Sequence, residues 1–326
     1  MGYMHDKALS ERLFCSTCGC HVGERVLKPD VKTGKRGWRV ASSIFDKQDV
    51  VAFEIRTHNF TNSAPGPSLA TWLPQIGSCD MHIANKGRSH NTLPSQSSEE
   101  HFRDTNDEVL LEEAVDPFFR RYLQPTPGYL GSQTGSTEVL KRVAALCICA
   151  DCRLVSGAHA VPYTFVPLAL LQPPVPDSLE GFGTLRVYRS SERVRRAFCR
   201  VCGATVFYAA ETPERMPSRE KRVVDIAIGV LRAPEGPVAE DWFLWLTTKL
   251  DGLQSGREYD EAFADALGKG LAEWGVRTYG ENMDFDIPTA WYKYSAITIK
   301  GDIRQLENQN ASGIPVDARE LRLASY

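Results

Sequence analysis

The sequence predicts a mainly β protein, α+β in class, with an amphipathic helix near its C-terminal end. Two observations carry that prediction. Short β-prone stretches broken by proline or glycine recur along the chain, among them Ala158 to Leu171, Thr184-Leu-Arg-Val-Tyr-Arg189 and Val223-Val-Asp-Ile-Ala-Ile228. Tyr259, Phe263, Leu267, Leu271 and Trp274 then recur at steps of four and three, the spacing of one helix face, on which Tyr and Trp read as core anchors.

At 326 residues the chain is long enough for two domains, and its 42% of apolar residues can build real cores. The net charge of −3 gives no general attraction to phosphates, which argues against nucleic acid as a partner. No apolar run reaches the roughly 20 residues that span a bilayer. The best candidate, Val161 to Leu171, is broken by Pro162 and Pro167, so no membrane association is expected. The cysteine total is odd, at nine, and Met1-Gly-Tyr-Met-His-Asp-Lys7 lacks the charged-then-apolar layout of a secretory signal. Gly2 is followed by Asp6 where a myristoylation signal has Ser or Thr. A reducing, cytoplasmic setting with free thiols is therefore expected.

Five of the nine cysteines lie in two clusters, Cys147-Ile-Cys149-Ala-Asp-Cys152 and Cys199-Arg-Val-Cys202-Gly203. Thiolates one and three positions apart converge on one tetrahedral ion when the backbone turns tightly, and soft sulfur ligands select Zn²⁺ over hard cations. Zn²⁺ is the expected cofactor. The competing reading is a redox Cys-x-x-Cys. Neither Cys15-Ser-Thr-Cys18 nor Cys199-Arg-Val-Cys202 opens a strand-to-helix unit, however, and each is followed by glycine, as in a zinc knuckle.

The two knuckles belong to similar segments. Leu13-Phe-Cys15-Ser-Thr-Cys18-Gly19-Cys-His-Val-Gly23 and Ala197-Phe-Cys199-Arg-Val-Cys202-Gly203-Ala-Thr-Val-Phe207 share Phe, both Cys, Gly and, with one offset, Val. Downstream, Trp38-Arg-Val-Ala-Ser-Ser-Ile-Phe45 parallels Val224-Asp-Ile-Ala-Ile-Gly-Val-Leu231. We read a tandem duplication whose first copy is partial, since it has only fourteen residues ahead of its knuckle and no triple, as from a longer ancestor or a shortened coding sequence. The expected layout is a partial first copy over 1–80, a largely flexible linker over 81–136, a zinc domain over 137–280 and a tail over 281–326. Asn85-Lys-Gly-Arg-Ser-His90 and Ser95-Gln-Ser-Ser-Glu-Glu100 give the linker its low apolar content, and Glu108 to Tyr122 reads as a short helix within it.

Taken in order, Cys147-Ile-Cys149-Ala-Asp-Cys152-Arg153-Leu-Val-Ser156-Gly157, Tyr188-Arg189-Ser190-Ser191, Phe198-Cys199-Arg-Val-Cys202-Gly203-Ala-Thr-Val-Phe207-Tyr208 and Val224-Asp225-Ile-Ala-Ile-Gly229 resemble the glutathione-dependent formaldehyde-activating enzyme (Gfa)/CENP-V family. The resemblance covers roughly residues 140 to 275, with a partial second match over about 10 to 75. It implies a β-tent of short antiparallel sheets and two zinc sites. Cys147, Cys149 and Cys152 correspond to the three-thiolate zinc with an open fourth position, and Cys199 and Cys202 to half of a closed Cys₄ zinc. The family's other half, an early Cys-x-Cys-Gly, is missing, because Gly128 to Arg142 contains no cysteine. Three outcomes stay open: Cys15 and Cys18 complete the site across the copies, Cys20 or Cys79 contributes, or the site is empty.

The function implied is a carbon–sulfur lyase acting on adducts of glutathione or a similar thiol, such as S-hydroxymethylglutathione, with the thiol held at the open Cys₃ zinc. The alternative is a non-enzymatic, zinc-stabilised binding or scaffold module; a fourth protein ligand closing the triple would favour it. No residue declares itself the proton-transfer group. Asp151 reads as a turn cap or a solvated acid, and His159 as an ordinary packed or surface histidine, ahead of either catalytic role. Arg186, Arg189, Arg193, Arg195, Arg196 and Arg200 read as the charges of an exposed hairpin ahead of receivers for a ligand's carboxylates or phosphates.

Overall fold

The first knuckle organises the N-terminal part of the chain. In the computed structural model, which describes residues 1–4, 8–48, 53–59, 66–84, 116–125, 140–213, 215–218 and 220–287, Gly19 takes φ +82° just after Cys18, a left-handed conformation that glycine adopts without steric cost. The turn joins β2 (Ser10–Phe14) to β3 (His21–Val26), and with β1 (Gly2–Tyr3) and β4 (Trp38–Val40) these form an antiparallel sheet in the order β1-β2-β3-β4. A 3₁₀ turn, Ser42–Ile44, follows β4. The next pieces are small: β5 (Thr57–Asn59), α1 (Leu69–Trp72), β6 (Gln75–Ile76), β7 (Cys79–Asp80) and β8 (His82–Ala84), with β5 beside β8 and β6 beside β7.

Within the stretch expected as linker, α2 (Pro117–Arg120) is capped by the Asp116 side chain and leads into β9 (Leu123–Pro125), which pairs with the large sheet. The expected helix from Glu108 is described only from residue 116 onward; its earlier part lies outside the described residues, as do 85–115, 126–139 and 288–326.

The large sheet has eight strands: β9, β10 (Leu140–Cys147), β11 (Val161–Pro167), β12 (Leu185–Ser191), β13 (Val194–Cys199), β14 (Thr205–Ala210), β15 (Val223–Ala227) and β16 (Phe243–Trp245). Their order is β12-β13-β14-β15-β11-β10-β16, with β9 also on β10. All its pairs are antiparallel except β10 with β16. A short helix, α3 (Ala150–Ser156), leaves the end of β10, and α4 (Leu253–Tyr279) follows β16. The mainly β class with a C-terminal helix is what the sequence predicts.

The strands flanking the two knuckles run alike. Phe14 pairs with His21 and Leu13 with Gly23; Phe198 pairs with Thr205 and Ala197 with Phe207, so each hairpin carries a bulge at its phenylalanine. Tyr3 faces Arg12 as Tyr188 faces Arg196, and β4 and β15 both run into 3₁₀ turns, Ser42–Ile44 and Ile228–Val230.

Helix α4 starts before the periodic stretch and bends where it begins. Asp260 leaves helical geometry (φ −154°, ψ 97°), and its Oδ1 accepts the Phe263 N–H at 2.9 Å, capping the second part. Tyr259, Phe263, Leu267, Leu271 and Trp274 are all buried, as their spacing predicts. Phe263, Leu267, Leu271 and Trp274 share a core cluster with Trp245 and with Trp72 of α1, whose ring centroid lies 4.7 Å from that of Trp245 and 5.5 Å from that of Trp274. The N-terminal elements thus share the main core. The approach depends on Gly270, where a Cβ would overlap the Trp72 carbonyl oxygen. We therefore expect Gly270→Ala to destabilise the protein by about 1–3 kcal/mol, although alanine favours an isolated helix by up to about 1 kcal/mol. Chemical denaturation checks the sign, and a stabilised variant would mean that α1 does not dock here.

Candidate metal centre

Strand β10 delivers Cys147 at its last position, buried among Tyr163, Tyr208 and Val161. The backbone then turns through Ile148, and Cys149 becomes the N-cap of α3, its sulfur accepting the Cys152 N–H at 3.4 Å. A helix turn carries Cys152 back toward its predecessors, and α3 ends at Gly157 in the left-handed conformation. Cys147 Sγ lies 3.4 Å from Cys149 Sγ, and all three sulfurs lie within 4.8 Å of one another. A strand end, a one-residue turn and a helix start therefore suffice to build a metal-sized thiol cluster. It has three members; no further His, Cys, Asp or Glu among the described residues joins it.

Arg196 faces this cluster. The exposed reading of the arginine run fails at this position, because β13 alternates across the sheet and turns Arg196 inward, leaving it 2% exposed. Its Nη1 lies 3.5 Å from Cys152 Sγ, its Nε donates to Ser190 Oγ at 3.1 Å, and its guanidinium sits 4.8 Å over the Tyr208 ring. Neighbouring Arg195 points elsewhere, pairing with Glu211 at 2.7 Å, and Arg186 donates to Ser16 O at 3.0 Å. Burial raises the Cys152 thiol, but hydrogen bonds with Cys147 and Cys149 together with the Arg196 charge outweigh it and hold Cys152 well below the ordinary thiol range. Asp151 lies in the first turn of α3, whose N-cap is Cys149, and is buried where the sequence predicts a cap or a solvated acid, with its carboxylate 4.0 Å from Arg196 Nη2.

The N-terminal elements close the far side of α3. Arg153, next to Cys152, is buried, donates to the carbonyls of Ser43 and Phe45, and stacks on the Tyr259 ring at 3.9 Å. His159 Nε2 lies 3.3 Å from both Ser42 Oγ and the Tyr259 hydroxyl, which itself donates to Ser42 O at 3.0 Å. His159 is thus packed against Ser42 and Tyr259, as read ahead of a catalytic role. Burial and then the Arg153 charge lower its pKa to about 4. In the unfolded chain it gains its proton near pH 6.5, so the fold loses stability as pH falls from about 6.5 through 4, by about 3 kcal/mol. Comparing His159→Gln with wild type across that window isolates the effect, since Asp251, raised to about 7 mainly by burial, shifts wild-type stability in the opposite sense. A difference that stays flat between pH 7 and 4 would contradict a buried neutral imidazole.

The remaining cysteines are all free thiols. Cys15, Cys18, Cys199 and Cys202 sit in two knuckles of the same form: Gly19 N–H donates to Cys15 O at 2.9 Å and Gly203 N–H to Cys199 O at 2.8 Å. The knuckles stack on each other reciprocally. A Cβ on Gly19 would lie 2.5 Å from Phe198 Cγ, and one on Gly203 2.6 Å from Phe14 Cγ. Their sulfurs do not form a second group within ligand range of one another. Cys20 is half-buried, with its thiol pushed up to about 12 mainly by burial, and Cys79 lies in the small β6–β7 hairpin.

Residues 135–246 match the family model of the glutathione-dependent formaldehyde-activating enzyme. The match contains the cysteine triple, Arg196 and the second knuckle, and leaves out the first knuckle and α4. No curated protein and no solved structure matches the chain. No helix among the described residues is long and apolar enough to cross a membrane. Within the matched stretch, the spacing of the cysteines anticipates the triple, whereas Arg196 is one of six arginines. The alternation of the strand around Arg196, with Val194 and Phe198 as buried neighbours two positions away, is the signal that singles it out.

Proposed function

We propose that Cys147, Cys149 and Cys152 hold Zn²⁺ with a fourth position left for a small thiol, and that the protein makes or breaks the carbon–sulfur bond of a glutathione adduct such as S-hydroxymethylglutathione. The observation that carries this reading is the three-membered sulfur cluster without a fourth protein ligand among the described residues. The donor set fits zinc, since three sulfurs at this spacing suit a soft tetrahedral ion. A bound Zn²⁺ would lower the pKa of the incoming thiol and hold it for reaction at carbon.

The chain's own residues supply the surroundings. Arg196 places a fixed positive charge against Cys152, which offsets the negative charge of clustered thiolates in a buried site. Tyr163 adds a hydroxyl 4.0 Å from the same sulfur. Arg153, anchored to the Ser43 and Phe45 carbonyls, fixes the helix that carries Cys149 and Cys152. The family match supports a glutathione-type small molecule as the partner, and nine free cysteines support a reducing, cytoplasmic setting.

One observation favours the alternative of a zinc-stabilised scaffold. All three sulfur-bearing residues are buried, with Cys149 the most exposed at 8%. The two readings separate on whether the zinc responds to thiols.

The same proposal extends to the knuckles. Their shared register, bulge and turn geometry support a tandem duplication, and their reciprocal stacking supports a second zinc shared by Cys15, Cys18, Cys199 and Cys202, whose sulfurs would have to draw together from their present separation to hold it. Elemental analysis of purified protein tests both sites together. We expect two zinc ions per chain, one of which changes its coordination when glutathione is added. Only one zinc per chain would remove the knuckle site; zinc that ignores glutathione would leave the scaffold reading in place of the lyase.

A further inference from the structure

Asp251 lies beyond the family match, between β16 and α4, and runs alongside the cysteine triple. Its backbone forms a parallel bridge with Cys147, in which Asp251 N–H donates to Leu146 O at 3.0 Å and Ile148 N–H donates to Asp251 O at 2.9 Å. Residues paired across neighbouring strands send their side chains to the same face, so the Asp251 carboxylate shares a face with the Cys147 sulfur. The next residue presses on the second ligand. Gly252 has φ +71°, and a Cβ there would lie 2.7 Å from the Cys149 backbone nitrogen and Cα.

The carboxylate is buried, at 2% exposure, and its Oδ2 has no hydrogen-bond partner. Buried carboxylate oxygens are normally paired, because leaving one unpaired forfeits its hydration with no return. Asp251 is also absent from the group of atoms within 4.8 Å of one another, so it does not close the triple as a fourth ligand. The site therefore holds an acceptor beside the sulfurs that neither the fold nor the sulfur cluster satisfies.

We propose that Asp251 contacts the substrate itself, accepting a hydrogen bond from the hydroxyl of a hydroxymethyl group carried on the sulfur of the bound thiol. This assignment rests on the lyase reading above and names the residue that recognises the carbon end of the adduct. In the direction of adduct formation, the sulfur–carbon bond forms as the carbon–oxygen π bond of the aldehyde opens. The thiol proton ends on the oxygen that Asp251 holds, and the reverse step returns it; no oxidant or reductant enters. A thioether lacking the hydroxyl cannot make the contact and leaves the carboxylate unpaired, which is the situation in which polar sites discriminate most strongly.

The test compares binding of S-hydroxymethylglutathione, prepared by equilibrating glutathione with formaldehyde, with that of S-methylglutathione and free glutathione on the zinc-loaded protein. Wild type is expected to prefer the hydroxymethyl over the methyl compound by about tenfold, the worth of one buried hydrogen bond. Asp251→Leu should abolish that preference while keeping its zinc and its affinity for free glutathione, and Asp251→Asn, which retains an acceptor oxygen, should restore part of it. A preference that survives in Asp251→Leu overturns the assignment, as does loss of zinc in both variants, which would make Asp251 a support for the cysteines. Glutathione that does not bind wild type at all sinks the lyase reading. Glutathione that binds without any hydroxymethyl preference sinks the Asp251 assignment alone.

Discussion

Replacing Cys147 and Cys149 together by serine is expected to remove the thiol-responsive zinc completely and to abolish any lyase turnover. The two positions supply two of three sulfurs, and a single remaining thiolate at Cys152 cannot hold the ion against solvent. With two of three thiolates gone no tetrahedral site is left at the triple, so partial retention there is not expected. The folded scaffold should survive, because the large sheet and the Trp72–Trp245–Trp274 core do not pass through the sulfurs. Elemental analysis and near-ultraviolet circular dichroism on the same sample separate loss of metal from loss of fold. A zinc content in the double variant equal to that of wild type, with no response to glutathione in either, would place the bound metal away from the triple and end the case for a catalytic centre there.

The second large effect is expected at Arg196. Exchanging it for methionine keeps much of the apolar stem but removes a cation that lies 3.5 Å from Cys152 Sγ and 4.0 Å from the Asp151 carboxylate. The sulfur cluster would then carry its buried negative charge without the Arg196 guanidinium beside Cys152. Breaking a buried charge arrangement from one side costs about 3–5 kcal/mol, and it should weaken zinc retention against a chelator as well as folding. Arg196→Lys tests geometry against charge: a lysine restores the charge but not the planar fork that reaches Ser190 and Cys152 at once, so it should recover only part of the loss. A methionine variant as stable as wild type, with unchanged zinc retention, would show that the guanidinium is a packing element and nothing more.

The two substitutions probe different parts of the same construction. The cysteines define where an ion can sit, while Arg196 defines how much negative charge that place tolerates. A scaffold zinc needs the first and has little use for an exchangeable position. Glutathione titration therefore discriminates between the functions more sharply than stability does.

Several features of this chain were settled by local sequence. Cys147-Ile-Cys149-Ala-Asp-Cys152 places its sulfurs through one strand end, one turn and the first turn of a helix, all within a few residues, so spacing alone predicts the cluster. The periodic face from Tyr259 to Trp274 is likewise a local property, since side chains three and four apart share one side of a helix wherever it docks. The two phenylalanine-led knuckles announce their glycine turns for the same reason.

Other features were decided only by contacts between distant segments. Arg196 and Asp251 lie 44 and 99 residues beyond Cys152, and neither has a sequence motif that ties it to the triple. Strand pairing brings them there, through the β13 alternation for Arg196 and the parallel bridge at Cys147 for Asp251. The association of the first knuckle with the second depends on Phe14 meeting Gly203 and Phe198 meeting Gly19, a fit that requires both hairpins to be folded and opposed. Burial and charge environment are sums over neighbours that are remote in the chain, so the sequence could name the sulfurs but only the tertiary structure could say what surrounds them.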